Sequence, residues 1–269
     1  ASRGAASGGR ACRRLAPARS SVTTGPVRIQ RALARAGIGS RRRADALVAQ
    51  GRVRINGEIA AVGQTVDPMR DRISVDGAEI ERPSDATWVV LHKPPGVLTT
   101  AHDERSAGRR TVFDLVPAPL RTPGLTYVGR LDYMTEGVLL MTTDGAAAHR
   151  LTHPSYGLER TYVATVRGNA PAASRSLRAG VDLDDGPVRP AAVRVRAAGQ
   201  RRWELEITLT EGRTRVVRRV CEAVGLSVER LVRTRFGPIA LGTLPAGAAR
   251  SLTRQEIHQL EAAPWPTER

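Results

Sequence analysis

Residues 128–145 read VGRLDYMTEGVLLMTTDG, and this stretch narrows the possible folds more than any other. A loop carrying Arg130 and Asp132 runs through Thr135 and Gly137 into an apolar strand over residues 138–143, which closes on an Asp144–Gly145 turn. A carboxylate held where a rigid strand begins, with a guanidinium two residues before it, keeps an acid close to a polyanion. Taken alone, an Asp in a turn before a buried strand is an ordinary structural feature. The rest of the chain decides between the two.

Composition points to a nucleic-acid partner. The chain has 269 residues and a formal charge of +16, with a pI near 11.4. That length suits one large or two ordinary domains with a sizeable core, and the excess charge gathers phosphate. A membrane surface would attract the same charge, but no apolar run approaches the ~18 residues of a spanning helix. Lys93 is the only lysine among the 42 basic residues, a bias that fits a GC-rich genome better than a dedicated phosphate code. Cys12 and Cys221 lie far apart, which fits a reducing compartment and offers neither a disulfide framework nor a zinc cluster. His149 and His153 have helical metal spacing but no third ligand nearby, so a structural role is expected. The few aromatic residues are too scattered for an RRM-type stacking platform.

Residues 1–25 form a basic tail; the first 24 lack acidic residues and apolar periodicity and are expected to be disordered. The tail resembles an organellar transit peptide, although a basic extension on a cytoplasmic bacterial RNA-binding protein is the simpler reading. From Val27 the pattern changes. Ile29, Ala32, Leu33 and Ala36 have helical spacing up to Gly37, and Ser40 can cap a second helix in which Ala44, Leu47 and Val48 are buried. Val53 and Ile55 alternate into Asn56–Gly57, and Ile73 and Val75 into Asp76–Gly77, both hairpin signals. Two short helices followed by a small sheet, in RIQRALARAGIGSRRRADALVAQGRVRINGE, resemble the S4 RNA-binding domain.

Arg41, Arg42 and Arg43 fall in the first turn of that second helix, where the dipole disfavours cations by some tenths of a kcal/mol each (roughly 0.3–1). An RNA phosphate there would relieve them. Arg28, Arg31, Arg35, Arg52 and Arg54 extend the same surface. Past a short linker at residues 81–86, residues 88–91 read as a buried strand leading into Lys93-Pro94-Pro95-Gly96. Thr161 to Arg167 alternates as a strand carrying Tyr162, and Trp203, Leu205, Ile207 and Leu209 form the buried side of another. In EGRTRVVRRVCEAVG, residues 211–225, Val216, Val217, Val220 and Val224 keep a helical stripe, with Arg215, Arg218, Arg219 and Glu222 opposite.

These segments together resemble the RNA pseudouridine synthases that act on ribosomal RNA. Their pattern G-R-L-D-x-x-T-x-G-L-L-L-L-T-N-D-G is matched at residues 129–145, with Val138, Met141 and Thr143 as departures. Lys93–Gly96 resembles the family's Lys-Pro-x-Gly turn, GLERTYVATV its E-R-x-Y-x-V, and residues 211–220 its E-G-R-x-x-[QE]-V-R-R-[ML], with Val216 where Gln or Glu is usual. The resemblance spans nearly all of residues 27–253 and is greatest for the large-subunit synthase B branch.

It implies an α+β protein: a small S4-like α/β RNA-binding domain over residues 26–82, then a catalytic domain over 87–262 built on a mixed, mainly antiparallel sheet. It implies Asp132 as the catalytic carboxylate, Tyr162 against the flipped base, Arg218 paired with Asp132, and Arg130 filling the gap left in the RNA stack. Arg213 is implied on the RNA-binding side, and Lys93 either as a structural residue or as part of the cleft lining. The expected partner is ribosomal RNA, most simply a 23S stem-loop or a pre-ribosomal particle, met by a monomer without a membrane. Isomerising uridine is redox-neutral, so no cofactor is expected. A small-subunit or tRNA target, and a non-catalytic S4-type assembly factor, are the competing readings. A hydrolase pairing Asp132 with Glu136 is a third.

Overall fold

The computed structural model describes residues 25–68, 70–80, 86–101, 108–199 and 201–262. The expected disordered tail, Cys12 and most of the expected linker lie outside these residues. The N-terminal unit begins with β1 (Val27–Arg28), α1 (Ile29–Arg35) and α2 (Arg41–Ala49). There follow β2 (Val53–Ile55), β3 (Glu58–Ile59), β4 (Thr65–Val66), β5 (Ile73–Val75) and β6 (Ala78–Glu79). Ile29, Leu33, Ala44 and Val48 from the helices bury against Val53 and Ile73 of a four-stranded sheet ordered β3-β2-β5-β6. Asn56 and Asp76 have φ of 54° and 53°, each followed by a glycine at positive φ, as the two hairpin turns require. Ser40 caps α2, its Oγ accepting from Arg43 N at 3.3 Å.

The larger unit contains β7 (Trp88–Lys93), β8 (Thr126–Val128), β9 (Thr135–Thr142), α3 (Gly145–Thr152), β10 (Arg160–Arg167) and α4 (Ala170–Ala179). A separate hairpin, β11 (Val181–Leu183) with β12 (Gly186–Val188), precedes β13 (Ala192–Ala197), β14 (Arg202–Leu209) and α5 (Val216–Ala223). The unit ends with β15 (Ser227–Phe236), β16 (Ile239–Ala240), β17 (Ala249–Ser251) and α6 (Arg254–Glu261). The main sheet runs β13-β14-β10-β15-β9-β7-β17, with β8 and β16 joined at the side. The β9–β15 pair is parallel and the other pairs are antiparallel. The protein is thus α+β.

Strand alternation divides the core. Val89, Leu91, Leu139 and Met141 face one side, where α4 and α5 contribute Leu177, Val217 and Val220. Trp88, Val90, Val138 and Leu140 face the other, covered by Leu151 of α3 and Leu260 of α6. Both faces are therefore buried: β9 is buried from end to end, and its residues 138–141 are all apolar. The expected Asp144–Gly145 turn is in fact the start of α3. Asp144 Oδ1 accepts from Ala146 N at 2.9 Å and Ala147 N at 3.2 Å, an N-cap.

Only three residue pairs, Thr135–Leu231, Glu136–Val232 and Gly137–Arg233, form the parallel ladder joining the two halves of the sheet. Gly137 has φ +109°, and a Cβ there would lie 2.1 Å from the carbonyl oxygen of Arg233. Gly137→Ala is therefore expected to cost about 1–3 kcal/mol in backbone strain alone, with the steric cost in addition. Thermal melting should show a drop of several degrees, and an unchanged melting temperature would mean the ladder does not constrain the fold.

Candidate active site

Asp132 sits on the loop between β8 and β9, and hydrogen bonds engage each backbone carbonyl from Leu131 to Thr135. Leu131 O accepts from Thr99 Oγ1 at 2.8 Å, and Asp132 O accepts from Thr135 N at 3.0 Å. Tyr133 O accepts from Gly96 N at 2.9 Å and from Lys93 Nζ at 3.1 Å. Met134 O takes a longer bond of 3.4 Å from Arg218 Nη2, and Thr135 O accepts from Lys93 Nζ at 2.9 Å. The loop is therefore set before any substrate arrives. Among the described residues the Asp132 carboxylate itself accepts no hydrogen bond, and it faces a cavity of about 270 Å³.

That cavity brings together residues from both halves of the sheet. The β9 side gives Arg130, Asp132 and Thr135; the other half gives Arg160 and Tyr162 of β10 and Arg233 and Phe236 of β15. Tyr162 is buried, and a register shift between Thr161 and Tyr162 aims this part of β10 locally. Arg130 is exposed at the rim and, among the described residues, has no hydrogen bond or ion pair. The guanidinium carbons of Arg160 and Arg233 lie 5.3 and 4.9 Å from the Phe236 ring centroid, a cation–π stack walling the cavity. Thr135 Oγ1 and Arg233 Nη2 are buried without a hydrogen-bond partner, a state that native structures seldom leave unrelieved.

Two sequence expectations, for Arg218 and Arg213, need correction, and two alternatives left open, for Lys93 and Glu136, are decided. Lys93 is completely buried, so it does not present its charge to RNA; besides Tyr133 and Thr135 it donates to Pro94 O at 3.0 Å. Arg218 does not pair with Asp132. Its other bond goes to Val228 O at 3.3 Å, so it braces the loop through the backbone. Arg213 lines the cavity but is engaged elsewhere. It is ion-paired to Glu211 and Asp185 and donates to Pro187 O at 2.8 Å, tying the β11–β12 hairpin to the start of α5. Glu136 is held by Arg230 through bonds of 2.9 and 2.7 Å, which keep its carboxyl below the usual range, so it is not a second free carboxylate for hydrolysis.

Arg31, Arg41, Arg42 and Arg43 lie apart from this cavity, on the N-terminal unit. Arg160, Arg233 and Phe236 were not anticipated. For Arg160 a signal existed: it shares the period-2 face of Tyr162, Ala164 and Val166. Among the described residues no group of three or more His, Cys, Asp or Glu is placed to hold a metal, and no helix is long and apolar enough to cross a membrane.

Burial pushes the Lys93 ammonium down from 10.5 to about 8, while Asp132 and Glu136 oppose the fall. The folded value is below the ordinary one, so the charged lysine costs stability fully below pH 8. That cost fades as pH rises from 8 toward 10.5. Because the chain has one lysine, selective ¹⁵N labelling gives a single side-chain signal, expected to titrate near 8. Titration at the ordinary lysine value would mean the ammonium is not buried under the loop.

Residues 87–223 match the RNA pseudouridylate synthase family, and residues 27–73 match the S4 domain. An uncharacterized RNA pseudouridine synthase of Mycobacterium tuberculosis is 42% identical over 240 residues, 88% of this chain and 94% of that protein. The ribosomal large subunit pseudouridine synthase B of Bacillus subtilis is 37% identical over 239 residues, covering 87% and 96%. A crystal structure of a pseudouridylate synthase superposes with a TM-score of 0.60 at 27% identity, covering 87% of this chain and 99% of that one. With its S4 domain in front of this sheet, the chain belongs to the RNA pseudouridine synthases, which are isomerases, and is related to the large-subunit synthase B group.

Proposed function

We propose that the protein isomerises a uridine of 23S ribosomal RNA to pseudouridine, acting as a monomer in the bacterial cytoplasm, with Asp132 as the catalytic residue. The observation carrying this reading is an Asp132 carboxylate that accepts no hydrogen bond among the described residues, on a loop whose carbonyls from Leu131 to Thr135 are engaged, opening into a cavity that Tyr162 also lines. The likeness to synthase B proteins supports the large-subunit target.

In the reaction the N1–C1′ bond breaks, the base turns, C5 bonds to C1′, and the C5 proton leaves while N1 gains one. Asp132 serves as nucleophile, or as base at the sugar, while the base is detached. The uridine must leave its stack to reach a carboxylate below the surface. Arg130, exposed and unengaged two residues away, occupies the vacated space, and Tyr162 supports the flipped base. The unpartnered Thr135 Oγ1 and Arg233 Nη2 meet the polar edge of the substrate. Lys93 and Arg218 act on the loop, not on the RNA.

Asp132→Asn is expected to bind 23S transcript with affinity close to the parent's, since one charge in a chain at +16 changes little. Its tritium release from 5-labelled uridine should fall by at least about 10³-fold, because the reaction path itself is removed. Substantial turnover by the variant would refute the assignment. Release from 16S or tRNA transcripts and none from 23S would move the target.

A further inference from the structure

A second and larger cavity, of about 710 Å³, opens between the two domains. Arg31, Arg35 and Arg41 line it from the S4 side, and Phe113, Tyr127 and His149 from the catalytic side. The docking that forms it is close. Arg35 Nη2 donates to Asp144 Oδ1 at 2.9 Å, and both side chains are largely buried. A Cβ on Gly124 would lie 2.3 Å from the Arg35 carbonyl oxygen, and one on Gly37 would lie 2.6 Å from Pro123 Cβ.

Among the described residues, charge inside the cleft is unbalanced. Asp144 is the acid there that acts on Arg31, and it is already used by Arg35 and by the start of α3. Arg35, Arg41 and Arg150 all add like charge around Arg31. The Nε and Nη2 atoms of Arg31 are buried and have no hydrogen-bond partner. A guanidinium desolvated among other cations is costly unless an anion meets it. The opposite wall offers Phe113 and Tyr127, edge to face with ring centroids 6.4 Å apart. Rings beside cations are what a single-stranded nucleotide needs: a stacking surface and a phosphate contact. The volume lies in the range of roughly 300–1,000 Å³ that encloses a small organic ligand, more than one inorganic phosphate requires.

The two cavities adjoin, since Gly129 and Thr152 line both. These two residues lie close together where the cavities meet: a Cβ on Gly129 would come within 3.2 Å of Thr152 Cγ2. We propose that the interdomain cavity seats a nucleotide flanking the target uridine, its phosphate on Arg31 and Arg41 and its base against Phe113 and Tyr127. This rests on the reading of the protein as an RNA-modifying enzyme. It deepens that reading by making the S4 domain part of the substrate groove, so that the sequence beside the uridine is sensed while the uridine reaches Asp132.

The test uses the full chain with Arg31→Gln and, separately, Arg41→Gln. Binding of unmodified 23S transcript is titrated at several salt concentrations, alongside binding of inorganic phosphate by calorimetry. Each variant should bind the transcript about tenfold more weakly, and its log–log salt slope should flatten by about 0.7, the share of one phosphate on a single strand. Melting temperature should be unchanged or higher for Arg31→Gln, since a half-buried guanidinium with two unpartnered nitrogens is removed. Arg41, exposed at the start of α2, provides the arm in which folding is not at issue. Unchanged affinity and slope in both variants, with the parent still converting uridine, would overturn the flanking site and leave the enzyme reading intact. Weaker binding of inorganic phosphate without any change toward RNA would overturn it in favour of a free-anion site. A parent that neither binds nor modifies the transcript would overturn both.

Discussion

The three-residue parallel ladder between β9 and β15 is the constraint on which the rest depends. Everything needed at the cavity comes from opposite sides of it: Arg130, Asp132 and Thr135 from the β9 side, Arg160, Tyr162, Arg233 and Phe236 from the other. Parallel pairing cannot be made by a hairpin; here the chain passes through α3, β10, α4, β11, β12, β13, β14 and α5 before β15 returns to β9. The junction is short because Gly137 lets the Arg233 backbone approach to a distance no side chain permits. Gly137 also pairs with Lys93 on its other side, so one glycine is flanked by the strand that braces the Asp132 loop and the strand that walls its cavity.

Around that junction the charges are arranged by depth. Lys93 is deepest, and its ammonium is spent on three carbonyls. Arg160 and Arg233 come next, stacked on Phe236 and bonded to backbone oxygens, Arg160 to Leu158 and Thr210 and Arg233 to Val138. Arg130 lies outermost and is unengaged among the described residues. The commitments of these cations to backbone oxygens leave the Asp132 carboxylate without a hydrogen-bond partner among the described residues. In the role proposed for Asp132, a carboxylate fixed in place and not bonded to a guanidinium needs no rearrangement of the loop to react.

Much of this was legible in the sequence where local chemistry is decisive. The S4 helices, their caps and both Asn-Gly and Asp-Gly hairpins follow from spacing and from residues that tolerate positive φ. The alternating strand with Trp203, Leu205, Ile207 and Leu209 follows from period two. Motif resemblance gave the family and brought Asp132, Tyr162 and Arg130 into one cavity. It misplaced Arg218 and Arg213 and left Lys93 undecided, because a motif records that a basic residue stands at a position and not where its long side chain ends. Arg218 and Arg213 both emanate from the region around the start of α5, where Arg215 has a left-handed φ of 52°. From there Arg218 reaches the Asp132 loop backbone and Arg213 the Asp185 hairpin. Lys93 was read as the start of a turn; it is the last residue of β7, and its side chain is buried.

Asp144 illustrates a further kind of information that sequence reading leaves out. In the linear motif it looks like the end of a strand, yet three donors converge on Oδ1: two backbone amides of α3 and the guanidinium of Arg35 from the other domain. Burial alone would raise its pKa, but those hydrogen bonds and the Arg35 charge bring it below the ordinary value, so it stays ionised. A motif residue twelve positions after Asp132 therefore orders α3 and fastens α1 of the S4 domain against the same side of the sheet. The fastening matters because Thr152, at the far end of α3, borders both the Asp132 cavity and the interdomain one. One short helix, capped by one carboxylate, thus fixes the distance between the surface that holds RNA and the group proposed to react with it.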